Sequence, residues 1–154
     1  MPMTQAGMVL GGRYELDEQI GRGGYGEVWR ATDTVLSRPV AVKLLYPGYA
    51  GRPGAQARFH AEARHAGSLS HHNIARVYDY DEPADGPSPY LVMEFVDGRS
   101  LSDVLDDGPL DAARSMDVIA QAAAGLEAAH AEGLMHRTSS RPTCCLIRRG
   151  GEDH

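Results

Sequence analysis

No apolar run in this 154-residue chain approaches the ~20 residues that a bilayer-crossing helix requires, so no membrane-spanning helix is expected. The opening residues, Met1-Pro2-Met3-Thr4-Gln5-Ala6-Gly7-Met8, lack the basic and apolar regions of a secretion signal, and a cytoplasmic location is expected. Basic excess is also missing. With a net charge of −6 and a pI near 5.6, the chain has little to offer a phosphate backbone, and nucleic acid is not expected as a partner. Cysteine is scarce, and the two present, Cys144 and Cys145, are adjacent. That spacing suits neither a disulfide between them, nor a zinc site, nor a redox Cys-x-x-Cys. His71-His72 has no third ligand at helical spacing, so no metal site is expected there.

What is present is ordinary for a globular domain, 42% hydrophobic and 23% charged, with one conspicuous stretch. Gly21-Arg22-Gly23-Gly24-Tyr25-Gly26-Glu27-Val28 spaces three glycines at i, i+2 and i+5, and Val40-Ala41-Val42-Lys43 follows. Glycines at that spacing let a turn pass over an anion with its amides unobstructed. Lys43 supplies a positive charge for a phosphate. In a dinucleotide-binding fold such glycines open a helix. Here they open Glu27-Val28-Trp29-Arg30-Ala31, which reads as a strand. Strand, glycine turn, strand, then a strand carrying lysine is the order of a protein-kinase nucleotide loop.

The remaining pattern is α+β. Residues 1–12 read as a flexible lead-in. Strands are predicted at Tyr14–Ile20, Glu27–Thr32, Pro39–Leu45, Ile74–Asp81 and Tyr90–Glu94, with a loop from Tyr46 to Gly54. One helix is predicted from Ala55 to Leu69, with Phe59, Ala63 and Ala66 on one face. Leu101–Leu105 suggests a short helix. Asp111 suits the N-cap of a long one running to Glu132, with an inward stripe of Met116, Ile119, Ala123, Leu126 and His130. The predicted organisation is 1–12 lead-in, 13–97 sheet-and-helix lobe, and 98–154 the start of a helical lobe. Glu62, nineteen residues beyond Lys43, falls on the first helix. It can form an exposed i−4 pair with Arg58, or an ion pair that aims Lys43 at phosphates, and the glycine loop favours the second.

From about Arg13 onward the chain resembles the eukaryotic-like serine/threonine protein kinases common in bacteria. The residues that carry the resemblance are Ile20 through Ala31, Leu69-Ser70-His71-His72-Asn73-Ile74, Tyr90 through Gly98, and His130-Ala131-Glu132-Gly133-Leu134-Met135-His136-Arg137. It implies a five-stranded antiparallel N-lobe sheet with one regulatory helix, then an incomplete helical C-lobe. It further implies ATP and magnesium as cofactors and a protein substrate. By that resemblance Gly21, Gly23, Gly24 and Gly26 cover the phosphates, and Ile20, Val28 and Ala41 sandwich the adenine. Met93 is the gatekeeper, and the Glu94 to Val96 backbone holds the adenine edge. Lys43 and Glu62 are the phosphate-positioning pair.

The resemblance fails where the catalytic loop belongs. The family places an aspartate after His-Arg, to take the substrate hydroxyl's proton, and a metal-holding asparagine five residues later. This chain has Thr138 instead, then Ser139-Ser140-Arg141-Pro142-Thr143-Cys144-Cys145. A threonine hydroxyl is neither basic nor charged at pH 7 and cannot replace a carboxylate. The family's Asp-Phe-Gly segment, activation loop and substrate-binding helices are not found in the 154 residues either. Residues 138–145 can be written ACG TCA AGC CGT CCA ACC TGC TGC. With one G in front, the same bases read Asp-Val-Lys-Pro-Ser-Asn-Leu-Leu, the expected loop. A local frameshift is therefore inferred, with family-like sequence resuming at Leu146, and the gene's nucleotide sequence tests it. Three readings follow: a kinase fragment inactive as written, a pseudokinase-type module that binds ATP or docks a partner, or a non-functional pseudogene product. Without a bundle to cover it, the apolar stripe of the long helix is expected to face water.

Overall fold

The structure is a computed structural model that describes residues 4–24, 26–83 and 88–132, together with the backbone of 146–148. The chain divides into two compact units, Met1–Ser68 with Arg76–Phe95, and Leu69–Ala75 with Val96–His154.

In chain order the first unit holds β1 (Val9–Leu10), β2 (Tyr14–Arg22), β3 (Gly26–Asp33), β4 (Arg38–Leu45), α1 (Pro47–Ala50), α2 (Ala55–Gly67), β5 (Val77–Asp81) and β6 (Tyr90–Glu94). The strands form one antiparallel sheet in the order β1-β2-β3-β4-β6-β5. The sheet has six strands where five were predicted, because Val9–Leu10 pairs with Tyr14–Glu15. Within the predicted lead-in, Leu10 is buried in the core and Met8 packs against it. The turn joining β1 to β2 uses Gly11 and Gly12, both at positive φ, and a Cβ on Gly11 would meet the Tyr90 hydroxyl at 2.5 Å.

Strand alternation sorts the side chains between two faces. Tyr14, Leu16, Trp29, Ala31, Val40, Val42, Leu44, Tyr90 and Val92 pack together on one face. Leu45 and Leu91, on the other, pack with Phe59 and Ala63 of α2. Residues 40–45 read as a nearly unbroken apolar run because both faces of β4 are covered. The helix turns one stripe inward, Ala55, Phe59 and Ala63 at i, i+4 and i+8.

The β3–β4 hairpin is tied by Asp33, whose side chain is fully buried among partners. Its Oδ1 accepts from the amides of Val35 and Leu36 at 3.0 and 3.2 Å. Arg13 donates to both carboxylate oxygens at 2.9 and 2.8 Å. This bidentate bond from Arg13, aided by the two amides and opposed by burial, holds the Asp33 carboxyl well below the usual carboxylate range. At the far edge the Tyr14 hydroxyl donates to Asp79 at 2.8 Å, joining β2 to β5.

Two further segments depart from their sequence-predicted form. Pro47–Ala50 makes one helical turn inside the predicted loop, with proline in the first turn where no amide is needed. The strand expected from Ile74 begins at Val77, because His71 Nδ1 accepts from the Asn73 amide at 3.0 Å and Ile74 N donates to His71 O. That turn also occupies a ring nitrogen of the His71-His72 pair.

The second unit contains β7 (Gly98–Ser100), α3 (Leu101–Asp106), α4 (Ala112–Ala131) and β8 (Leu146–Arg148). β7 and β8 pair antiparallel, with Arg99 opposite Ile147. Both helices have side-chain N-caps: Ser100 accepts from the Asp103 amide, and Asp111 from the Arg114 amide. The predicted inward stripe of α4 is corrected by one position. Gly125 is the buried residue, and Ser115, Val118, Ala122 and Ala129 are half-buried, whereas Met116 is 70% and Ile119 64% exposed. The small face is the covered one because it admits close backbone approach, with the Gly125 Cβ position 3.1 Å from the Asn73 carbonyl oxygen. Among the described residues, no helix is long and apolar enough to cross a membrane.

Candidate functional site

The glycine loop is the hairpin tip between β2 and β3. Gly21 lies opposite Val28, Arg22 opposite Glu27, and the Gly23 amide donates to the Gly26 carbonyl at 2.9 Å. The three motif glycines differ in what surrounds them. A Cβ on Gly26 would fall 1.9 Å from the Leu44 carbonyl oxygen, so only glycine lets β3 lie this close to β4. Above Gly23 and Gly24 there is nothing within 4 Å, and Gly21 would meet only Val28, at 3.6 Å. The base of the loop is thus clamped and its tip is open. Arg22 Nε donates to the Tyr46 hydroxyl at 3.0 Å, which ties that base to the residue just before α1.

Register brings four of the sequence-predicted residues onto one face of the sheet. Val28 lies opposite Lys43, and Ala41 opposite Met93, each pair on neighbouring antiparallel strands. Ala41 is buried, Val28, Lys43 and Met93 are half-buried, and Ile20, at the loop entrance, is 49% exposed. Glu94 closes β6, its amide donating to the Arg76 carbonyl at 2.7 Å. Val96 belongs to the second unit. An apolar platform beside the half-buried Lys43, under a glycine tip with open space above it, is chemically suited to a purine carrying phosphates.

Lys43 and Glu62 are not brought together. No carboxylate of the described residues lies within 4.0 Å of the Lys43 ammonium. Glu62 is exposed on α2 and makes no ion pair with Arg58 either. Lys43 Nζ instead lies 6.0 Å from the centroid of the Phe59 ring. Sequence reasoning assigned Phe59 to the helix's buried face but not to this contact. Its i−3 spacing from Glu62 was the available signal.

Thr138 and residues 139–145 lie outside the described residues. Among the described residues no group of three or more His, Cys, Asp or Glu could hold a metal ion.

Glycine hairpin, lysine strand, packed helix and six-stranded sheet together define the nucleotide-binding lobe of a protein kinase. Residues 14–138 match the protein kinase domain family, and the chain belongs to that family, among the bacterial serine/threonine kinases. It is 43% identical over 152 residues to serine/threonine-protein kinase PknA of Mycobacterium tuberculosis, covering 96% of this chain and 35% of that protein. It is 40% identical over 146 residues to the probable serine/threonine-protein kinase PknB of Corynebacterium glutamicum, covering 93% and 23%. The crystal structure of the Mycobacterium tuberculosis PknI kinase domain superposes with a TM-score of 0.74 at 26% identity, covering 88% of this chain and 54% of that one. The chain thus spans about a third or less of these two full-length relatives.

Proposed function

We propose that this chain is the ATP-binding portion of a serine/threonine protein kinase, and that with Thr138 in place it does not transfer phosphate. The intact enzyme would move the γ-phosphate of ATP to a serine or threonine hydroxyl of a protein. The observation that carries the nucleotide reading is the shared face of Val28, Ala41, Lys43 and Met93 beside the open glycine tip. In this reading Val28 and Ala41 pack on the adenine, the uncovered glycine tip at Gly23 and Gly24 lies over the phosphates, and Lys43 neutralises part of their charge. ATP supplies the transferable phosphoryl group. Among the described residues no group of three or more His, Cys, Asp or Glu is placed to hold a metal ion, and no step is assigned to magnesium.

Inactivity follows from the chemistry of one position. Proton removal from the attacking hydroxyl requires a base, and Thr138 offers none near neutral pH. Purified chain incubated with radiolabelled ATP and a generic protein substrate should show no transfer above a Lys43→Ala control. Transfer clearly above that control would overturn the inactive reading. Calorimetric titration should give ATP affinity weaker than about 1 mM. A micromolar value would favour the second reading, a module that binds nucleotide or docks a partner without catalysis. That reading has one observation of its own, the exposure of Met116, Ile119 and Leu126 along α4.

A further inference from the structure

Lys43 is the only lysine in the chain, and every other one of the 15 Lys and Arg positions is arginine. Its side chain emerges from β4 between Val28 and Leu91, onto the face covered by α2. The group it meets there is an aromatic ring and not a carboxylate, with Phe59 at 6.0 Å from Nζ. That ring is fixed. It is 4% exposed, packed with Leu45, Ala63 and Leu91, and tilted against Tyr80 with centroids 5.5 Å apart.

We propose that Phe59 is the docking site of the Lys43 ammonium in the nucleotide-free protein. It is a positioning residue that competes with Glu62 and with nucleotide phosphate for the chain's single lysine. No carboxylate of the described residues lies within 4.0 Å of the Lys43 ammonium, and the negative face of the Phe59 ring attracts a cation placed over it. The attraction is weaker than a charge-assisted bond to phosphate, so the ring releases the cation when an anion arrives. Phe59 and Glu62 are three residues apart on α2, which is about 60° around the axis and about 4.5 Å along it. Exchange between ring and carboxylate therefore needs a modest helix rotation or a change of lysine rotamer, with no unfolding. The role in nucleotide capture rests on the reading of Lys43 as the phosphate-contacting cation, whereas the ring contact does not.

The single lysine makes the test direct. Lysine labelled with 13C at Cε gives one resonance, and in the nucleotide-free 154-residue chain its Hε protons should lie upfield and show NOEs to the Phe59 ring. Absence of those NOEs overturns the proposal without any variant. Phe59→Tyr should keep the upfield shift, Phe59→Leu should return it to the ordinary lysine position, and Glu62→Gln should leave it in place. A shift that responds to Glu62→Gln and not to Phe59→Leu identifies the carboxylate as the partner and refutes ring docking. Added ATP should move the resonance downfield, with half-saturation at about two- to five-fold lower concentration in Phe59→Leu than in the unaltered chain. Equal half-saturation would show that the ring does not compete. If the ring NOEs are present and ATP leaves them untouched, docking stands and the nucleotide reading fails.

Discussion

Helices α2 and α4 carry similar promise and meet different fates. α2 lays Phe59 and Ala63 against Leu45 and Leu91, and its large apolar side chain is nearly inaccessible to water. α4 has the larger supply of apolar residues, yet buries only Gly125 and leaves Met116, Ile119 and Leu126 exposed. An apolar stripe states a demand for a partner, and only the surrounding chain can meet it. For α2 the sheet is that partner. α4 rests its alanine and glycine side on Asn73 of its own unit, where small size matters more than hydrophobicity.

The two helices would cease to differ if truncation at Phe59 were harmless. Phe59→Ala should cost about 3–5 kcal/mol, read from urea denaturation followed by Trp29 fluorescence, since it removes a packed ring and leaves a cavity. A loss under 1 kcal/mol would mean that α2 is no better anchored than α4.

An intermediate effect separates the units by pH. All seven tyrosines lie between Tyr14 and Tyr90, and the second unit has none. The Tyr14 hydroxyl is pushed up to about 12, chiefly by burial and then by its bond to Asp79, and burial likewise raises Tyr80 and Tyr90. An acid whose folded pKa exceeds its unfolded value of about 10 leaves stability intact below pH 10 and erodes it as pH rises towards 12. Trp29 fluorescence should therefore report loss of the first unit above pH 10. Tyr14→Phe should lower the slope of stability against pH there by up to about one proton, and an unchanged slope would remove Tyr14 as a cause.

The smallest effect is expected on α4. Ile119→Gln should change stability by no more than about 0.5 kcal/mol while raising solubility. A loss above 2 kcal/mol would show that Ile119 is covered after all, and that the two helices are equally partnered.

Much of both units was legible in the residues. The strand Tyr90–Glu94 was placed to the residue, and Asp111 was placed as the cap of α4, because alternation and capping are local signals. β1 escaped notice because two residues cannot show a period, and its strand character comes from pairing with Tyr14 and Glu15. The face of α4 slipped by one position for a different reason. In Ala122-Ala123-Ala124-Gly125, alanine occupies every face, so the few large residues dominate the apparent stripe, while the observed contact selects the small ones. Within the candidate site, the elements could be read from sequence, whereas strand register and side-chain choice could not. Spacing placed Lys43 and Glu62 on the right elements, but a lysine with several rotamers settles where the local energetics send it, which here is Phe59.

The short ladder between β7 and β8 bears on the unusual segment at 138–145. Gly98–Ser100 meets Leu146–Arg148 residue for residue, and a slip of one position would invert which side chains face which side. Exchanging Thr138–Cys145 for Asp-Val-Lys-Pro-Ser-Asn-Leu-Leu replaces eight residues with eight and leaves that ladder in step. At the level of the gene this means two edits that cancel, one base gained before the segment and one lost after it. A repair that changed only the first would put everything from Leu146 onward into a foreign frame.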